Sequence, residues 1–435
     1  MKAQSKTLRR LIFLLLLGVL VVPHIQNKFK LFTIKPLQGA ITNAPDSFFS
    51  VHEWFSGNYQ EQKTKYINES FGFRNLFVRM NNQLEFTLFN YARANEVIIG
   101  KENYLYEKNY VKAYYGLDFV GKDSIDRTMQ RVKFLQDTLA KLNKTLILVF
   151  ASSKGTFYPE YFPDSYKQTR GTTNYEVYLK EAQKLNLNYI DFNKYFVDNK
   201  HTSKYPLCSR YGIHWSSYGE RLAADSIIRY IEKARGIKMV HPFWDKIDLD
   251  NLPRNRDADI EDGMNLLFNL KCDSLAYPEI QFQSDSGKTK PSSIVIADSY
   301  YWGMYGFDIS RIYSDSHFWF YNHNIYPEFR TNGLTTVQID LKDQIAKKDI
   351  IIIMATDASL TNFGWGFVEN AYDIFKGRTK KSATDHENEI NIKSIINNIK
   401  STPDWLTKVE ADAKRGGITV DSALLINAKW MLEHK

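Results

Sequence analysis

Cysteine is nearly absent: the 435 residues contain two, Cys208 and Cys272. There is no Cys-x-x-Cys pair, and the nine histidines show no His-Glu-x-x-His spacing, so the sequence offers no zinc ligand set and points to no metal or other cofactor. In an exported chain the two thiols could close one disulfide; two free buried thiols are the alternative. No Lys/Arg block interleaved with aromatics occurs, which argues against nucleic acid as a partner. The acidic stretch 243–290 carries Asp245, Asp248, Asp250, Asp257, Asp259, Glu261 and Asp262 without the spacing of a calcium loop, and reads as a surface excursion. Internal repeats are lacking. The longest uncharged apolar run, Leu11–Val22, falls short of the roughly 20 residues that span a bilayer core.

What is present is enough to build a large core. Hydrophobic residues make up 43% and aromatics 14%, and the length suits one large or two medium domains. A net charge of +8 favours an acidic polymer or an anionic membrane face. Lys2, Lys6, Arg9 and Arg10 precede the Leu11–Val22 run, the pattern of an export signal. Val21-Val22-Pro23-His24 is a poor cleavage site, so residues 1–23 read as an uncleaved anchor, with the rest of the chain outside the cytoplasm. Residues 24–60, with Pro36, Gly39, Pro45 and Gly57, read as a juxtamembrane linker.

From residue 61 to about 375 the patterns alternate between helix and strand. Glu61–Tyr91 is helical with a break at Gly72, and Phe77, Met80, Leu84 and Leu88 form one apolar stripe. Val97–Tyr106 reads as a hairpin. Ser124–Leu142 is amphipathic through Ile125, Met129, Val132, Leu135 and Leu139. It leads into the apolar strand Thr145–Phe150; Leu187–Phe192, Ile294–Ala297 and Ile350–Ala355 are of the same kind. Helices are expected at Tyr175–Leu185, Glu220–Arg235 and Leu341–Ala346. Helices alternating with wholly apolar strands predict an α/β fold around a mostly parallel sheet. After Tyr372 the chain is basic and polar to about residue 390, and 376–435 ends as a helical tail.

Two stretches carry chemistry. Tyr211-Gly212-Ile213-His214-Trp215-Ser216-Ser217-Tyr218-Gly219 sets an imidazole at a helix mouth. Ser292–Ala297 then delivers Asp298-Ser299-Tyr300 at the exit of a buried strand, where an α/β sheet presents a nucleophile. A serine hydroxyl needs a base, and His214 is the natural one. Read singly, Ser299 could be a helix cap and His214 a structural histidine; as a pair they form a catalytic constellation.

Ala297-Asp298-Ser299-Tyr300 resembles the Gly-Asp-Ser block of SGNH hydrolases, with the histidine ahead of the serine in a circularly permuted order. Trp54-Phe55-Ser56-Gly57, Asn68–Arg74, Gly100–Tyr106, Lys154, Tyr158-Pro159-Glu160, Pro163 and His214-Trp215 extend the likeness. Over roughly residues 50–375 the chain resembles the AlgJ/AlgX/DHHW group of exported polysaccharide O-acetyltransferases. The resemblance implies an SGNH-like (flavodoxin-like) sandwich and a catalytic set of Ser299, His214 and Asp298, with Asp298 shaping the nucleophile turn. It also implies oxyanion or substrate contacts from Tyr321, Asn322, Tyr300, Trp215, Lys154 and Arg74; Lys154 and Arg74 are equally readable as partners of acids. The implied partners are a polysaccharide acceptor and a membrane-bound O-acyltransferase as donor, at the periplasmic face of the inner membrane.

One position departs from the group. Its members carry Asp two residues before the histidine, and here that place is Gly212. The site is then a Ser–His dyad, or another acid orients His214, Asp191 and Asp357 being the candidates at strand ends, or catalysis is lost. The corresponding functions are an O-acetyltransferase, an esterase of the same fold, or a non-catalytic glycan-binding scaffold. Trp302, Trp319 and Trp365 are core residues or a sugar-stacking platform.

Overall fold

The computed structural model describes residues 2–39 and 44–378, and in the tail 391–392, 395–396, 398–400, 402–416 and 418–433. Beyond residue 378, the basic stretch to about 390 lies outside the described residues. The chain divides into two compact units. One comprises residues 1–99 with 259–270, the other 100–258 with 271–435. The first helices of the domain expected over 61–375, and a short piece of the acidic stretch, fall in the smaller unit.

In the smaller unit, α1 (Lys2–Phe29) runs on through Pro23, and 24 of its residues, Lys6–Phe29, are long and apolar enough to cross a membrane. The expected linker is not free of structure, because α2 (Val51–Ser56) and α3 (Asn58–Ser70) follow. A break at 71–73 leads to α4 (Arg74–Phe89). The break is where sequence placed it, and the apolar stripe of α4 is not the buried face. Phe77, Met80, Leu84 and Leu88 are exposed, while Arg79 and Asn82 are buried. Arg79 donates to the carbonyls of Leu266 (3.0 Å) and Pro36 (2.7 Å), and Asn82 to that of Met264 (2.8 Å). Uncapped carbonyls in the 264–266 turn need donors, and a buried Arg without them is costly, so polar matching decides the facing of this helix.

The larger unit is built on a six-stranded sheet. Its strands are β1 (Thr145–Ala151), β2 (Tyr189–Asp191), β3 (Ser293–Ala297), β4 (Ser316–Phe320), β5 (Asn324–Tyr326) and β6 (Ile350–Thr356). Their order is β5-β4-β3-β6-β1-β2. All neighbours are parallel except the β4/β5 hairpin. The central strands β1, β3 and β6 are buried along nearly their whole length, which explains their unbroken Val/Ile/Leu sequences. Against this core packs α5 (Lys122–Lys141), with Ile125, Met129, Val132, Leu135 and Leu139 all buried. Two further helices, α6 (Asn174–Lys184), opened by a Thr173/Glu176 capping box, and α7 (Ser217–Arg235), run between strands. This is the SGNH hydrolase-like α/β fold expected from the sequence. In the tail, helices Pro403–Gly416 and Val420–Glu433 share a small apolar cluster around Val409, Ala413, Leu424 and Ala428.

Candidate active site

Parallel strands end together, so residues just past β1, β3, β4 and β6 gather at one carboxyl edge. Asp298, the first residue after β3, is buried. Its Oδ1 accepts from Tyr300 N (3.1 Å), and its Oδ2 accepts from Thr356 N (2.8 Å) and Thr356 Oγ1 (2.7 Å) at the end of β6. The carboxylate thereby pins the turn that carries Ser299. From this turn the Ser299 hydroxyl reaches His214 Nε2 at 2.9 Å.

His214 is brought there by a loop fastened at several points. Lys154 Nζ donates to the carbonyls of Arg210 (2.6 Å) and Gly212 (2.8 Å). Tyr300 Oη donates to Ile213 O (2.6 Å), and its ring lies 4.8 Å from the imidazole. Trp215 Nε1 donates to Ser152 O (2.7 Å) just past β1, while its ring stacks on Phe196 at 4.8 Å. Ser216 caps α7, accepting from Gly219 N at 3.0 Å. Lys154, Trp215 and Tyr300 are each about 1% exposed. All three hold the histidine loop. Arg74, at the start of α4, belongs to the smaller unit.

Tyr321 and Asn322 follow β4, both with left-handed backbone (φ 50° and 51°). Tyr321 N donates to Ala297 O (2.9 Å), which keeps the turn beside the end of β3. Burial, reinforced by the charge of Asp298, pushes the Tyr321 phenol up to about 12, while hydrogen bonds with the Ser299 side chain and main chain act the other way. Asn322 differs: its Nδ2 donates to Trp365 O (3.0 Å). Trp319 and Trp365 are buried, whereas Trp302 is partly open and stacks edge-on against Tyr326 at 4.6 Å.

The two acids considered for His214 are committed elsewhere. Asp357 accepts from Ser153 Oγ (2.7 Å), Thr156 Oγ1 (2.5 Å) and Asn193 Nδ2 (2.9 Å). Asp191 accepts from Tyr175 Oη (2.9 Å) and caps a helix through Lys194 N (3.1 Å). The absence of an acid at residue 212 has a steric cause: a Cβ on Gly212 would stand 2.4 Å from Arg256 O and 2.9 Å from Asp257 C and O. The dipeptide Arg256–Asp257 fills that space. Arg256 Nη2 donates to Ser299 O (2.5 Å), and Asp257 O accepts from Ser209 Oγ (2.5 Å). The acidic stretch is therefore not a mere surface excursion; Asp257 is 2% exposed. Nothing in the local sequence marks this pair, since one Arg-Asp in an acidic stretch carries no periodicity. Both cysteines are free, Cys208 buried within the same loop.

Residues 97–242 match the family model described as an SGNH hydrolase-like domain, acetyltransferase AlgX. This segment resembles an AlgX-type SGNH domain. The matched residues include His214 and stop before Ser299. Solved structures similar to the chain include the O-acetyltransferase domain of Pseudomonas putida AlgJ, at 15% identity and TM-score 0.42, over 64% of this chain and 99% of that one. Pseudomonas aeruginosa AlgX follows at 13% identity and TM-score 0.39, covering 65% and 68%. Bacillus cereus PatB1 gives 11% identity and TM-score 0.38, covering 62% and 99%. No curated protein matches the sequence.

Proposed function

We propose that this chain is an extracytoplasmic O-acetyltransferase that modifies polysaccharide hydroxyls through an acetyl-Ser299 intermediate. The observation that carries the reading is the 2.9 Å contact between His214 Nε2 and Ser299 Oγ, from segments 85 residues apart, on an AlgX-type domain. His214 takes the Ser299 proton as Oγ attacks the acetyl carbonyl of the donor. The tetrahedral adduct then collapses, the donor's leaving group takes the proton from His214, and acetyl remains esterified to Ser299. A sugar hydroxyl, deprotonated by His214, attacks this ester; the acetyl passes to the sugar and Ser299 recovers its proton. In this reading Ser299 N and the Tyr321 hydroxyl stabilise the oxyanion in both steps. Tyr110, behind the turn, feels Asp298 and stays protonated through burial. The apolar part of α1 anchors the chain, and a membrane-bound O-acyltransferase supplies the acetyl group.

The test is transfer from a chromogenic acetyl ester to an oligosaccharide, with mass spectrometry of the enzyme during turnover. Expected are a 42-Da adduct on the Ser299 peptide and loss of both adduct and acetyl-sugar in Ser299→Ala. Unchanged transfer in Ser299→Ala overturns the serine mechanism. Ester consumption that ignores the acceptor sugar makes the protein an esterase.

A further inference from the structure

Resting on that reading, we infer that Asp257 is the positioning acid of His214, supplied from a distant segment in place of the residue missing at 212. Three observations converge. First, the main chain of Arg256–Asp257 occupies the place into which a side chain at 212 would grow, within 2.4–2.9 Å of its Cβ. Second, Asp257 Oδ2 lies 3.4 Å from Ser217 N, at the first turn of α7, so the carboxylate reaches from the Gly212 side to a residue just past His214. Third, Asp257 is fixed there: its carbonyl takes the Ser209 hydroxyl, and Ser209 Oγ also accepts from Tyr211 N (3.2 Å) and Gly212 N (3.3 Å).

The neighbouring acid Glu220 is a different case. Its carboxylate lies against Gly303, where a Cβ would clash, and faces Arg256 Nε (3.5 Å) and Arg221 Nη1 (3.8 Å). It balances guanidinium charge on the far side of the Ser299 turn. Asp257 is the acid that bonds to the segment carrying the histidine, through Ser209 and Ser217. A carboxylate there selects the imidazole tautomer with Nε2 open towards Ser299 and stabilises the imidazolium formed during attack. Arg256, one residue earlier, ties the same segment to Ser299 O, so one dipeptide spans base and nucleophile.

The experiment compares Asp257→Asn, Asp257→Glu and Glu220→Gln in the full chain, with Ser299→Ala alongside. Expected is a fall in kcat of about 10²–10⁴-fold in Asp257→Asn at unchanged KM, partly restored in Asp257→Glu. Wild-type kcat in Asp257→Asn, or the same loss in Glu220→Gln without loss in Asp257→Asn, overturns the assignment. Activity that survives Ser299→Ala fails the acyl-enzyme reading instead, and the two failures are separate. A measurement free of folding effects is the deshielded Nδ1 proton of His214 in the unsubstituted protein, identified by its loss in His214→Gln. Its absence also overturns the assignment.

The outward apolar face of α4 carries a second inference. Phe77, Met80, Leu84 and Leu88 are 42%, 43%, 56% and 66% exposed, while the polar face is buried. Within the same unit, Gly72 sits on Pro23, Gln26 and Asn27 of α1, too close for a Cβ, and Phe73 packs on Phe32 at 6.0 Å. The start of α4 is thus fixed to the end of the apolar segment, beside Lys28 and Lys30. The geometry points to the bilayer interface as the occupant of this stripe, continuous with the α1 anchor. The test places a bimane label at Leu84→Cys or Leu88→Cys in the full chain, reconstituted in phosphatidylethanolamine/phosphatidylglycerol nanodiscs, with Asp137→Cys as reference. Expected is a blue shift and quenching by brominated lipid at 84 and 88 but not at 137. No quenching at 84 and 88, or a shift that needs an added membrane protein, overturns it.

Discussion

Lys154 Nζ holds the carbonyl of Gly212 at 2.8 Å, two residues before the histidine that faces Ser299. The lysine sits just past β1, so the end of one central strand fixes the loop that delivers the base. Its second bond, to Arg210 O, closes the clamp. Lys154→Met leaves two buried carbonyls short of a donor. The expected cost is about 1–3 kcal/mol in urea unfolding, with a lower kcat at little change in KM.

Gly212→Ala tests the close approach of the Arg256–Asp257 main chain. Because its Cβ would meet backbone and not a flexible side chain, destabilisation of about 1–3 kcal/mol is expected. Displacement of Arg256 also disturbs its bond to Ser299 O, so kcat should fall with stability. Thermal melts and ester turnover read the two effects.

Tyr321→Phe removes the hydroxyl proposed as an oxyanion donor beside Ser299. If it stabilises the oxyanion, kcat falls by about 10²–10³-fold with KM nearly unchanged. A change confined to KM would make Tyr321 a substrate-binding residue.

Asp118, against the first turn of α6, gives a stability prediction away from the site. Burial raises its carboxyl to about 7 from 3.8. In the unfolded chain the group ionises near pH 4, but in the folded chain only near 7. Folding therefore loses stability as pH rises between these values and is unaffected by this group below them. Asp118→Asn should raise the unfolding free energy by up to ~4 kcal/mol at pH 8 and by little at pH 4. Denaturant melts at the two pH values check the sign.

The sheet and its helices were legible because each is encoded locally. Ile350–Met354 is apolar throughout because both faces of β6 are covered. The 3.6-residue spacing of α5 names the five side chains that are buried. His214 and Ser299 were legible as a pair because each stands at an element boundary that sequence patterns reveal. The stripe on α4 was legible but its facing was not, since periodicity reports that a helix has two faces and not which one finds partners. Arg79 and Asn82 bury instead because carbonyls at 264–266 meet them.

Gly212 shows where the boundary lies. Sequence alone determined that the residue two before the histidine has no carboxylate, and from that alone the catalytic apparatus looks incomplete. Only the tertiary structure decided what stands there: Arg256 and Asp257, more than 40 residues away along the chain, are folded against the glycine because nothing but hydrogen fits between. Local sequence fixes strands, helices and caps, whose interactions span a few residues. An acid brought in by a long excursion depends on how that excursion packs, and that is set by contacts between segments that share no periodicity.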